Sequence, residues 1–341
     1  MWIRGGKSNL PFKPFIMSEI LGNPLFALFC ANLQYYWPSL PVSSYCRLYS
    51  DLIQRQHFLL QDQQLLDLFS NVHIPIEQRE RIVEMRQQKG IILTFHTGAY
   101  RVLPRLLCEL GFNIALLASA KVRQEQMEGL GLQHAGIRQV DSKTGDFIIL
   151  DAEQGSSLLQ VRKALRDGYH ILVYADGNTG SQQKQKDNGH SLGIPFFKRS
   201  ILQRTAIACL SYRWQLPIYS ILGSKKNEQI SFSLGEPTLW DEYRDAETYC
   251  KILYTRLYAD LERLIWDDPM TWEGWRYVLP RSKGNAYVWS KRYYGWNTSR
   301  LWPLFMNGTY YALDSQYLHS HTLHVRAYDR LCRGKSKLLS G

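Results

Sequence analysis

From about residue 15 to residue 85, apolar positions recur every three or four residues, the spacing that gathers them on one face of a helix. The stretch "YCRLYSDLIQRQHFLLQDQQLLDLFS" carries this pattern. "PIEQRERIVEMRQQKG" predicts a charged amphipathic helix stopped at Gly90. The texture then changes. "GIILTFH" (90–96), "NIALLAS" (113–119), "YHILVYAD" (169–176) and "LPIYSIL" (216–222) are short, continuous apolar runs. Strands of a parallel sheet, covered on both faces, have that form. Between them "RVLPRLLCELG", "SLLQVRKALRDG" and "SILQRTAIACLSYRW" read as helices, and "AETYCKILYTRLYADLERLIWDDP" predicts a long helix ended by Pro269. Strands alternating with helices predict an α/β fold with a largely parallel central sheet flanked by helices.

That pattern divides the chain into a helical N-terminal segment over 1–85, an α/β core with its closing helix over 86–283, and a C-terminal extension over 284–341. The extension is aromatic and polar by turns with no sustained period. It is expected to be irregular, to wrap the core or bind a partner, and to end in a frayed basic tail.

Composition narrows the setting. The net charge of +11 favours acidic partners: nucleic acid, an anionic membrane, a phosphorylated substrate or an acidic carrier protein. No nucleic-acid motif accompanies the charge, so no nucleic acid is expected as a partner. The six cysteines form no C-x-x-C pair, which argues against a zinc site or a disulfide framework and for a reducing, cytoplasmic setting. The apolar stretch "ILGNPLFALFCANLQYYWPSL" is broken by Asn23, Pro24, Asn32 and Pro38. It falls short of the roughly 20 apolar residues of a membrane span. A packed core helix is one reading and an interfacial helix the other, the latter making the protein peripheral on the inner face of the cell membrane. No G-x-S-x-G elbow is present, which argues against hydrolase chemistry of that type.

The candidate chemistry begins at "FHTGAYR". His96 follows an apolar strand and precedes a turn, and ligands of parallel sheets bind at the carboxyl ends of strands. A histidine there is either a general base or simply bonded to a loop carbonyl. Asp176 ends a second strand, "YHILVYAD", and two such strands lying side by side would bring it to His96. Its alternative is a turn cap. Arg101, Arg105, Lys121 and Arg123 are candidates for holding a phosphate or carboxylate.

The order of "FHTGAYR", "LLQVRKALRDGYHILVYADGNTG", "GIPFFKRSILQRTAIACLSYRWQLPIYSIL" and "LYADLERLIWDDPMTWEGWRYVLPR" resembles the late acyltransferases of lipid A biosynthesis. These belong to the lysophospholipid and glycerolipid acyltransferase superfamily, and the likeness covers about residues 40–282. It includes a closing "DP-x-x-W" element. The resemblance implies transfer of a fatty acyl group from an acyl carrier protein or coenzyme A thioester to a hydroxyl or amine, with no cofactor and no metal. It implies His96 as the base, and an acyl pocket near Phe196 and Phe197. The family's histidine is followed five positions later by Asp or Glu, and here that position is Arg101. A guanidinium there disfavours the imidazolium, opposite to the effect of an acid. Glu109 lies about 12 Å further along a helix, too far to replace it, which leaves Asp176 to orient the ring. A binder of lipid or carrier protein with the same fold is the alternative that Arg101 favours.

Overall fold

The structure, a computed structural model, describes residues 20–63, 70–120, 122, 124, 144–177, 191–226, 229–277, 298–316 and 319–340. Two helices open it, α1 (Pro24–Tyr36) and α2 (Tyr45–Asp62). Asn23 caps α1 by accepting from the N–H groups of Leu25 and Phe26. The helix is a packed core helix: Phe26, Phe29, Cys30, Leu33 and Tyr36 are all buried. No helix among the described residues is long and apolar enough to cross a membrane.

Beyond β1 (Val72–His73) and α3 (Arg79–Gln87), the described elements run in the order β2 (Ile91–Thr94), α4 (Leu103–Glu109), β3 (Ile114–Ala118), β4 (Phe147–Asp151), α5 (Ser157–Arg166) and β5 (His170–Tyr174). After a hairpin, β6 (Ser191–Phe196) and β7 (Arg199–Arg204), come α6 (Ala206–Trp214), β8 (Ile218–Lys226), β9 (Gln229–Leu234) and α7 (Ala246–Asp267). The main sheet has the order β1-β9-β8-β2-β5-β3-β4. Strands β8, β2, β5, β3 and β4 are mutually parallel, and β9, antiparallel to β8, carries β1 alongside it. The fold is α/β with a mostly parallel central sheet. The central strands read as unbroken apolar runs because they are covered on both faces, and all four residues of β2 are buried. Pro104 falls in the first turn of α4, where a missing N–H leaves no partner unsatisfied.

Two segments differ from expectation. "SILQR" belongs to the strand β7, and the helix begins only at Ala206, after Thr205. Its inward alternation is masked because the buried position after Ile201 is Gln203, which accepts a hydrogen bond from the Tyr258 hydroxyl at 2.8 Å. The C-terminal extension is not irregular where it is described. Strands β10 (Leu301–Met306), β11 (Thr309–Asp314) and β12 (His319–Thr322) form an antiparallel meander, followed by α8 (Val325–Ser340). Residues 301–304 are buried on both sides of β10, which erases the two-residue period. The expected frayed tail is a helix that buries Tyr328, Leu331, Lys335 and Leu339 at helical spacing. Trp302 stacks on Tyr45 of α2, and the Lys335 ammonium sits 3.8 Å from the Trp302 ring centre.

Candidate active site

Register places the site. Strands β2 and β5 pair in parallel with Thr94 opposite Tyr174, so the residues two beyond, His96 and Asp176, leave the same edge of the sheet. The Asp176 carboxylate is buried at 2% side-chain exposure. Its Oδ1 lies 2.8 Å from His96 Nδ1, and its two oxygens accept from the His96 backbone N–H at 3.2 and 3.1 Å. Trp272 Nε1 donates to Oδ2 at 2.7 Å. A carboxylate accepts only, so Nδ1 carries a proton, and in the neutral ring Nε2 keeps its lone pair.

The turn after β2 is held from two sides. Gly98 N–H donates to the Thr271 carbonyl at 2.8 Å, and Glu273 N–H donates to the His96 carbonyl at 3.0 Å. Gly98 has a φ of +52°, and a Cβ there would lie 2.5 Å from the Ser224 Cα, so only glycine lets this turn press against β8. The imidazole stacks on Tyr174 at 4.5 Å and meets the edge of Tyr100 at 4.8 Å. The Tyr174 hydroxyl in turn donates to the Tyr100 carbonyl at 2.9 Å. His96 keeps 22% of its side chain exposed.

Burial pushes the His96 imidazole down. The Asp176 charge and hydrogen bond, with the Glu273 carboxylate, outweigh it, and the net direction is up. Arg101 pulls the other way, as its position in the sequence predicts, but it is the weakest of these influences. For Asp176, burial raises the carboxyl. The His96 charge and the hydrogen bonds from His96 and Trp272 outweigh that and hold it below its ordinary value.

Arg101 is adjacent to this pair. Its guanidinium carbon is 5.3 Å from the Tyr100 ring centre, and its buried Nε has no hydrogen-bond partner. It makes no ion pair among the described residues. Arg105 is instead engaged with Glu109 on its own helix at 2.6 Å, both side chains about nine-tenths buried. Lys121 and Arg123 lie outside the described residues. Phe196 is fully buried, with its ring against Tyr36, Tyr258 and Trp272, so it supports the site from below rather than lining an opening. Phe197 stacks on Trp37 and has a positive φ of 49°. Its N–H donates to Glu262 Oε1 at 2.5 Å.

Two functional candidates went unread in the sequence. Trp272 is the tryptophan of the "DP-x-x-W" element, so its presence was visible but its contact with Asp176 was not. Glu273, the next residue, is 8% exposed and faces a cavity of about 260 Å³ beside the His96 turn. Its lining includes Asp51, Leu52, Arg55 and Phe58 of α2 together with Gly98, Lys225, Met270 and Thr271.

No family model matches this chain, and no curated protein matches it. Among solved structures, it is similar to the crystal structure of the 1-acyl-sn-glycerophosphate (LPA) acyltransferase PlsC from Thermotoga maritima. The identity is 15% and the TM-score 0.34, over 71% of this chain and 94% of that one. At that distance, function has to be read from the residues themselves.

Proposed function

We propose that this chain is an acyltransferase, moving an acyl group from an acyl carrier protein or coenzyme A thioester to a hydroxyl or amine. The observation that carries the reading is the His96–Asp176 pair: Nδ1 held at 2.8 Å by a buried carboxylate, with the ring partly open to solvent. Nε2 takes the proton of the acceptor O–H or N–H as that atom attacks the thioester carbonyl. The tetrahedral intermediate then collapses, the C–S bond breaks, and the imidazolium returns the proton to the departing thiolate. Asp176 stays ionised throughout and keeps the ring in the productive tautomer.

The Arg101 guanidinium lies beside the pair, against the Tyr100 ring, with no ion pair among the described residues, which suits a phosphate of the donor or an anionic group of the acceptor. The +11 charge suits an acidic carrier protein and also peripheral contact of a cytoplasmic protein with an anionic membrane face. A second reading, a binder of lipid or carrier protein with no turnover, is favoured by one feature, the arginine in place of an acid five residues after His96.

Purified protein incubated with labelled acyl carrier protein and coenzyme A thioesters, with a cell extract as the source of acceptors, separates the two. Acyl transfer predicts label in a new product with wild type and a loss of about 10³-fold or more in a folded His96→Ala variant. Binding of the thioester without product in either protein would leave the binder.

A further inference from the structure

The acid that the resemblance expects five residues after His96 is absent, and a second carboxylate approaches the same imidazole from another part of the chain. Thr97 and Trp272 form an antiparallel bridge, and the Glu273 N–H donates to the His96 carbonyl at 3.0 Å, which sets those two residues side by side. The Glu273 carboxylate is buried and accepts from the Tyr277 hydroxyl at 3.2 Å. It makes no ion pair among the described residues. A charge shielded from water and unpaired with a cation is weakly screened, so it acts beyond contact distance. It reaches Tyr100, whose ring edge meets the imidazole at 4.8 Å. Arg101, the residue in the acid's place, lies against the same Tyr100 ring, its guanidinium carbon 5.3 Å from the centre. The other titratable groups around the imidazole, among the described residues, are Asp176 and Tyr174 from the end of β5 and Tyr277 beyond Glu273. Burial pushes the hydroxyls of Tyr100, Tyr174 and Tyr277 up, so they keep their protons and the charges that matter are Asp176, Glu273 and Arg101.

We propose that Glu273 is a positioning residue for His96, its buried charge offsetting the Arg101 guanidinium beside the ring. The proposal rests on the acyl-transfer reading in taking His96 as the base. Two acids then share what one would do. Asp176 holds Nδ1 at 2.8 Å and fixes the tautomer, while Glu273 supplies a second negative charge from the opposite end of the core. The directions agree with this division. Burial lowers the imidazole, the Asp176 charge and hydrogen bond raise it, Glu273 raises it further, and Arg101, the weakest of these influences, lowers it. A more basic imidazole draws the acceptor's proton more strongly as the new bond forms.

Magnetic resonance titration of the full chain, labelled at histidine Cε1, reads the His96 midpoint without requiring turnover, the resonance being assigned by its loss in His96→Ala. Glu273→Gln keeps the backbone N–H and is expected to move the midpoint to lower pH. Arg101→Gln should move it to higher pH, and the double variant should fall between the two. Glu273→Asp keeps the charge and should stay closer to wild type than Glu273→Gln, a difference that lost packing alone would not produce. A midpoint unmoved in Glu273→Gln, or moved equally by Glu273→Asp, overturns the proposal. Acyl thioesters with a cell extract then separate this failure from that of the enzyme assignment. The acid limb of kcat/KM should follow the midpoint in each variant. For Glu273→Gln, kcat at alkaline pH should fall by well under the about 10²–10⁴-fold that loss of a general base brings. Turnover with an unmoved midpoint sinks the role of Glu273 and leaves acyl transfer standing. Midpoints that move as expected, with no thioester consumed even by wild type, uphold Glu273 as the charge that offsets Arg101 and sink the enzyme assignment.

Discussion

Two buried carboxylates, Asp176 and Glu273, flank the candidate site in the structure, and their bonding is opposite. Asp176 accepts from the imidazole, from the His96 backbone and from the Trp272 indole, so that both of its oxygens are bonded. Glu273 accepts from the Tyr277 hydroxyl at Oε2, its Oε1 is buried without a hydrogen-bond partner, and its charge acts on His96 and Tyr100. A saturated carboxylate is fixed and charged, so it can hold a ring in one tautomer through a reaction. An unsaturated one acts on its neighbours through charge alone, and Glu273 adds to the influences that raise the His96 imidazole.

The largest break in that comparison is Asp176→Asn. The amide keeps the shape but presents a donor to Nδ1, which turns the imidazole to the wrong tautomer. Turnover should fall by about 10² to 10⁴, mainly in kcat. The pH profile gives a readout that misfolding would not. With neutral His96 as the proposed base, activity should fall as pH drops through its pKa, which lies above the ordinary value near 6.5. Removing the Asp176 charge removes the main raising influence, and the acid limb of kcat/KM should move to lower pH. An acid limb that stays in place would mean that another group supplies it.

How far this site was readable follows from where its contacts run. His96 and Asp176 each stand two residues beyond an apolar strand, and parallel pairing of those strands is enough to join them. Trp272 reaches Asp176 across 96 positions of sequence, and no local pattern encodes such a contact. Glu273 needed the fold as well, because an acid beside a tryptophan is ordinary until its burial is known. Arg105 is held by Glu109 at i,i+4 on its own helix, a pairing that the spacing alone makes available. The meander of β10, β11 and β12 was hidden for a different reason: a strand buried on both faces has no alternation to read.

Trp272→Phe cuts one strut of the saturated carboxylate and leaves the other. The lost indole N–H removes a charge-assisted hydrogen bond worth about 1.5–3 kcal/mol, and denaturant unfolding should register a loss of that order. Turnover should fall about tenfold, less than for Asp176→Asn, because the Nδ1 bond remains. A fall as large as that of Asp176→Asn would mean that the indole, rather than the carboxylate, sets the ring.

The smallest effect on the pair, and the most telling about the departure at position 101, is that of Arg101→Gln. The guanidinium lowers the His96 imidazole, so its removal should move the acid limb to higher pH, opposite to Asp176→Asn. With the ring still oriented by Asp176, kcat on the alkaline side should change by less than about threefold, the scale of a partly solvated charge interaction. If the guanidinium holds an anion of donor or acceptor, KM for that substrate should rise about tenfold while kcat holds. The two variants thus part the roles that one acid would combine. On the proposed reading Asp176 carries orientation and basicity, which leaves the arginine five residues after His96 to act on substrate. If Arg101→Gln left KM unchanged and moved only the acid limb, the arginine would be a brake on the base and nothing more.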